Sequence, residues 1–166
     1  LDLLEVDVIL VHHRLRTGEV LWSDLTAEIG HDIMPKYLPD GRIIFASTRQ
    51  TRSQAILLDE GKGAFPHVDE DRNEFAFNLH VINADGTGRE QLTFNQSHDL
   101  DPAPLSNGQI VFSRWDNSGN NDEMNLYRMN PDGSDVLRLT DEIGYDGGPF
   151  YSPDGSKIVY RTRHPD

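Results

Sequence analysis

The chain has 166 residues, with 15 basic and 28 acidic side chains, a net charge of −13 and no cysteine. That length suits one domain, and that charge repels phosphate backbones, which argues against nucleic-acid binding through a basic face and leaves cations or basic partners as what it attracts. The absence of thiols excludes disulfides, thiolate metal sites, a cysteine nucleophile and covalent c-type haem attachment by this segment, and the apolar run Val8 to Val11 near its start is too short for a membrane span or a signal-peptide core.

In chain order, Val6 to His12 and Glu19 to Thr26 read as two strands about a turn at Thr17-Gly18, half a unit within residues 1–26. Residues 31–93 read as a full unit with a first turn at Pro39-Asp40-Gly41 and a second at Asp85-Gly86. An insertion over residues 51–76, rich in acid and glycine, separates its second and third strands, and within it Gln54 to Leu58 suits a short strand or a helical turn. Residues 98–140 give the cleanest unit. Leu100 to Leu105, the Ser106-Asn107-Gly108 turn and Gln109 to Ser113 form one hairpin, while Asn125 to Asn130, the Pro131-Asp132-Gly133 turn and Asp135 to Thr140 form another, with Val136 facing inward. Residues 145–163 supply two strands of a last half unit.

The units keep one set of landmarks. Leu25-Thr26, Leu92-Thr93 and Leu139-Thr140 are each followed six residues on by Asp32, Asp99 and Asp146, then by Pro35, Pro102 and Pro149, then by Gly41, Gly108 and Gly155. The triplets Ile43-Ile44-Phe45, Ile110-Val111-Phe112 and Ile158-Val159-Tyr160 follow. Pro35 to Pro102 is 67 residues and Pro102 to Pro149 is 47, the difference being the insertion. Such periods mark repeat architectures, and four short antiparallel strands with turn signals make one β-propeller blade. The expected fold is all-β: half a blade, two blades and half a blade, three blade-equivalents where closed propellers need about four to eight.

Tyr151-Ser152-Pro153-Asp154-Gly155-Ser156-Lys157-Ile158-Val159-Tyr160 resembles the repeat of TolB-like propellers, the WD40-like or PD40 family. Asn125 to Ser134 with Arg138-Leu139-Thr140, and His80 to Thr93, are similar to it as well. The resemblance covers about residues 31–162 and departs at the insertion, at Asn107 where the family has Asp, and at Arg16-Thr17-Gly18. It implies a six-bladed propeller exported to the periplasm or cell surface. Family members serve as protein-binding scaffolds, as gates of α/β-hydrolase peptidases, or as metal-holding polysaccharide lyases. Asp32 to Arg49 also resembles the propeller of hydrazine-synthase-like proteins, whose chemistry needs haem; the Cys-x-x-Cys-His attachment motif does not occur here.

If the family geometry holds, His31-Asp32 and His98-Asp99 take equivalent places near the central channel, with Tyr145-Asp146 as the third. Imidazole and carboxylate converging there suit a divalent metal; the alternative is that each Asp binds backbone N–H groups between blades. The segment Asp116 to Glu123 is dense in oxygen donors, and Asp116, Asn120 and Asp122 are the candidates for a Ca²⁺ loop, although the EF-hand pattern fails and a polar connector has the same composition. The insertion is either a binding loop or a surface excursion, with Phe65 and Phe75 as its anchors. Trp22 and Trp115 suit sugar stacking or packing between blades.

Catalytic signatures are missing: Gly-x-Ser-x-Gly, His-Glu-x-x-His and the phosphate-binding glycine loop do not occur in this sequence. The expected function is a non-catalytic scaffold for a protein or peptide. The alternative is the accessory propeller of a larger exported hydrolase, such as a peptidase, or lyase. A third arrangement, if the chain is complete, is a homodimer in which two copies close one ring.

Overall fold

The computed structural model describes residues 11–14, 19–22, 31–68, 75–118 and 121–163. β1 (Val11–Arg14) and β2 (Glu19–Trp22) form an antiparallel hairpin. β3 (Asp32–Tyr37), β4 (Ile43–Ser47), β5 (Asn78–Ile82) and β6 (Glu90–Gln91) pair in chain order as an antiparallel sheet, with helix α1 (Thr51–Asp59) between β4 and β5. β7 (Asp99–Pro104), β8 (Ile110–Ser118), β9 (Asn121–Met129) and β10 (Leu137–Arg138) form a second such sheet. β11 (Tyr145–Tyr151) and β12 (Ile158–Arg163) form a further hairpin, tied to β9 through one parallel bridge between Tyr145 and Met124. The sheets are open and the chain is all-β, as part of a propeller would be. No helix among the described residues is long and apolar enough to cross a membrane.

Alternation along β4 and β5 explains the layering. Ile44, Ala46, Leu79 and Val81 face the second sheet and bury against Ile110, Phe112 and Met129, forming the main core between the two sheets. Ile43, Phe45 and Ile82 gather on the opposite face. Both faces of β4 and β5 are therefore buried, which is why β4 is apolar from Ile43 to Ala46 rather than alternating, while β5 buries the polar Asn78 and His80 between its apolar residues.

Three inner strands share one irregularity. The register slips between Ile33 and Lys36, between Leu100 and Ala103, and between Gly147 and Phe150. At each slip the residue before proline is left-handed: Met34 (φ 57°), Asp101 (φ 54°) and Gly148 (φ 62°). Proline has no N–H for a ladder, and a bulge lets the strand pass it without an orphaned carbonyl opposite. Neighbouring bulges touch. The Asp101 N–H points to Met34 Sδ at 3.3 Å, and the Gly148 N–H donates to Ser113 Oγ at 3.1 Å.

Several details differ from the sequence reading. Gln54 to Leu58 lies within helix α1, whose first bond runs from the Gln54 N–H to the Gln50 carbonyl at 2.9 Å. The outermost strand of the second sheet is two residues long rather than six, and Val136 is exposed instead of inward. Asp135 (φ 53°) turns the backbone out of the extended region just before it, and an outermost strand has a ladder on one side only. Strands β8 and β9 run on through the segment read as a connector, pairing Asp116 with Glu123, Asn117 with Asp122 and Ser118 with Asn121.

Candidate binding face

In an antiparallel four-stranded sheet, the first-to-second and third-to-fourth connections leave from one end. The second-to-third connections, and the links to the next sheet, leave from the other. The two ends of this molecule differ in kind.

At the first end every described connection is a short polar turn. A side-chain oxygen of the turn residue accepts the N–H two residues on: Asp40 from Arg42, Asp85 from Thr87, Asn107 from Gln109, Asp132 from Ser134 and Asp154 from Ser156, at 2.9 to 3.0 Å. Asn107 performs the same bond as the aspartates, so its departure from the repeat costs nothing in geometry. The Ser152 hydroxyl, with Ser156, holds the Asp154 carboxyl down at about 2, and the Thr87 and Ser134 hydroxyls lower Asp85 and Asp132 in the same way.

The second end carries helix α1, residues 60–68, Phe75 and Ala76, the link Thr93 to His98, the facing ends of β8 and β9 and the link Thr140 to Gly144. Ile56, Leu58, Phe65, Phe75, Phe94 and Ile143 on these segments are exposed apolar side chains, while Tyr37 and Val136 are exposed beside the turns of the first end. Two buried amides bind the insertion to the blade. Gln50 Nε2 donates to the carbonyls of His67 (2.9 Å) and Ala76 (3.0 Å), and its Oε1 accepts the His67 N–H at 2.7 Å. Gln91 Nε2 donates to Ser53 Oγ (2.7 Å), Asn78 Oδ1 (3.2 Å) and the Thr93 carbonyl (2.9 Å), while Oε1 accepts the Ser53 N–H at 3.3 Å. That last bond satisfies one of the N–H groups that the start of a helix leaves without an internal partner. Arg52 bonds Glu90 at 3.0 Å and lies 5.3 Å from the Phe94 ring centroid, joining the helix to the next link.

Two aspartates of the repeat turn onto arginines, one just beyond β4 and one on β8. Asp32 pairs with Arg49, and Asp99 receives Arg114 Nε and Nη2 at 2.8 and 3.0 Å. Asp99 also takes a bond from the Thr93 side chain, in the link between the two sheets. Arg114 lies 5.3 Å from the Phe112 ring centroid and 4.9 Å from that of Tyr127. Burial pushes the Asp99 carboxyl up, against the pull of Arg114. Burial also works against the Arg114 charge, and the bonds from Asp99 outweigh it.

Of the two histidines of the metal reading, His31 bonds through its backbone and His98 through its ring. His31 is exposed, its backbone N–H donating to Thr48 Oγ1 at 3.0 Å and its backbone carbonyl accepting the Thr48 N–H at 3.1 Å. His98 Nδ1 accepts the Phe77 N–H at 3.1 Å, and its carbonyl accepts the Trp115 N–H at 2.9 Å. Asp116 accepts from Asn125 Nδ2 (3.2 Å) and from the Tyr127 hydroxyl (2.8 Å); burial and this carboxylate raise the Tyr127 phenol to about 12. Asn120 and the side chain of Asp122 lie outside the described residues. Among the described residues no three His, Asp or Glu side chains come together as a metal site.

Sequence reasoning missed Arg49 and Arg114. A signal existed, because Arg114 and Arg161 each fall fifteen residues after their Asp, but Arg49 falls seventeen after Asp32 and leaves the column. Arg161 also takes another partner, the Tyr145 hydroxyl at 2.6 Å. Gln50 and Gln91 carry no sequence signal of their roles.

No protein-family model matches the chain. Over 88 residues it is 32% identical to a dipeptidyl-peptidase 5 of Porphyromonas endodontalis, a match covering 53% of this chain and 12% of the relative. Over 84 residues it is 29% identical to an uncharacterized protein of Agrobacterium fabrum, covering 51% of this chain and 28% of the relative. The chain thus spans less than a third of either. Among solved structures it superposes on a protein of Agrobacterium tumefaciens provisionally assigned as TolB (TM-score 0.57, 20% identity, 90% of this chain, 48% of that one). It also superposes on TolB of Acinetobacter baumannii (TM-score 0.56, 18% identity, 87% and 30%) and on hydrazine synthase of Kuenenia stuttgartiensis (TM-score 0.62, 17% identity, 89% and 25%). The fold is that of part of a β-propeller, and the chain resembles TolB-like propellers.

Proposed function

We propose that this chain is a binding platform without catalytic groups of its own, holding a protein or peptide partner on the end that carries helix α1 and the insertion. The observation behind this reading is the asymmetry of the two ends: five polar side-chain-capped turns at one, and the irregular segments with Ile56, Leu58, Phe65, Phe75 and Phe94 exposed at the other. Exposed aromatic side chains on a scaffolded loop gain area on docking at small conformational cost. The buried Gln50 and Gln91 amides hold the platform in place before a partner arrives, which lowers the ordering cost of binding. A location in the periplasm or at the cell surface accords with the TolB-like resemblance.

The second reading, an accessory propeller of a larger exported peptidase, is favoured by one observation, the 32% identity to dipeptidyl-peptidase 5. Both readings place the partner, another protein or the substrate of an attached domain, on the same end. Selecting peptides from a random display library against the immobilised chain tests the first. The expected peptides lose roughly tenfold or more in affinity when Leu58, Phe65 or Phe94 becomes Asp, as anchor residues do, and little when the exposed Tyr37 does. Peptides that depend on Tyr37 and ignore the other three would refute it.

A further inference from the structure

We infer that Met34 is an oxidation site, and that its sulfoxide holds the Asp101 N–H more firmly than the sulfide does, tightening the contact between the inner strands β3 and β7. A bond from a bulge N–H back to the preceding sheet occurs twice among the described residues. Asp101 and Gly148 take the same place in the repeat, two residues after Asp99 and Asp146. Their acceptors differ. The Gly148 N–H donates to a hydroxyl, Ser113 Oγ at 3.1 Å, whereas the Asp101 N–H meets a thioether, Met34 Sδ at 3.3 Å.

The repeat explains the difference. Ser113 follows the triplet Ile110-Val111-Phe112, and the residue that follows Ile43-Ile44-Phe45 is Ala46. Ser113 and Ala46 also pair with equivalent residues of their first strands, Leu100 and Ile33. The first sheet therefore has no hydroxyl at the position from which the second sheet offers one. Met34, itself the counterpart of Asp101, brings its sulfur to the N–H instead. Sulfur is a weak acceptor, so this link is the poorer of the two.

Access singles out the same atom. The chain has three methionines. Met124 and Met129 are 6% and 0% exposed, whereas Met34 is 38% exposed. A hydroperoxide oxidises a thioether only where it reaches the sulfur. With hydrogen peroxide, a sulfur lone pair attacks one oxygen and the O–O bond breaks. The other oxygen leaves as hydroxide and takes up the proton, so that the products are sulfoxide and water. Sulfur is oxidised and peroxide reduced by the same two electrons. The product is polar where the sulfide was apolar. The rotatable bonds of the Met34 side chain let the new oxygen accept the Asp101 N–H, the kind of bond that Ser113 gives Gly148.

Peroxide treatment of the 166-residue chain tests this, read by peptide mass spectrometry and by amide exchange at Asp101. Sulfoxide is expected to form at Met34 roughly tenfold or more faster than at Met124 or Met129. Exchange at Asp101 then slows by roughly threefold or more, and methionine sulfoxide reductases acting on both sulfoxide epimers restore the original rate. In Met34→Leu, peroxide leaves Asp101 exchange unchanged. Equal oxidation of the three methionines overturns the site. Exchange at Asp101 that quickens or stays constant when Met34 is oxidised overturns the bond, as does slowing that persists in Met34→Leu.

Discussion

His80 is the residue whose chemistry is most constrained by the fold. It is 3% exposed, stacks on Phe45 and donates its Nδ1 proton to the Asn78 carbonyl at 2.9 Å. Burial lowers its pKa from 6.5 to about 4, although the Asn78 carbonyl pulls the other way. The unfolded chain therefore takes up a proton first as pH falls. Stability is complete above pH 6.5 and declines down to about pH 4, by on the order of 3 kcal/mol. Urea unfolding of His80→Gln across that interval is expected to show a flatter dependence on pH; an unchanged slope would place the acid sensitivity elsewhere. A second expectation concerns Arg114→Met. It leaves the buried Asp99 carboxylate without its counter-charge, at a cost of about 3 kcal/mol or more, and the deficit shrinks in mild acid as Asp99 takes a proton. A deficit constant with pH would contradict this. At this scale the turns were legible and the ion pairs were not. Asp-Gly and Asn-Gly name a turn by local chemistry alone, whereas the Asp99–Arg114 pair depends on how two strands align in space.

At the scale of elements, strand positions followed from the landmarks because a fixed alternation and a repeated Pro set both register and ends. Helix α1 was left open between strand and helical turn, since Gln54 to Leu58 is too short to declare a period and the bonds that hold it are tertiary. Gln91 supplies them from β6, so the helix depends on a residue 38 positions away in sequence from Ser53. Gln91→Ala removes the partners of Ser53 and Asn78 and is expected to cost about 1–3 kcal/mol. Amide exchange should quicken over Thr51–Asp59 while the β8–β9 ladder is unaffected. Equal quickening of both would show that the helix is not held locally. The β8–β9 extension was missed because Asp116 to Glu123 has the composition of a connector, while cross-strand pairing rather than propensity keeps it extended.

At the scale of the whole molecule, the repeat made the propeller legible, since no other reading keeps Asp, Pro, Gly and an apolar triplet in phase. The proposed binding face was legible only as an insertion with two phenylalanines. That it shares an end with Phe94 and Ile143, opposite a row of capped turns, is a property of antiparallel topology that appears once the strands are paired. Beside the expected convergence of imidazole and carboxylate, the structure pairs Asp32 with Arg49, just beyond β4, and Asp99 with Arg114 on β8. The measurement that bears most directly on the proposed platform is amide exchange of the chain with and without a selected peptide. Slowed exchange is expected over residues 51–68 and 93–98, with the turns at Asp40, Asp85, Asn107 and Asp132 unchanged. Slowed exchange at those turns, with residues 51–68 unaltered, would contradict it.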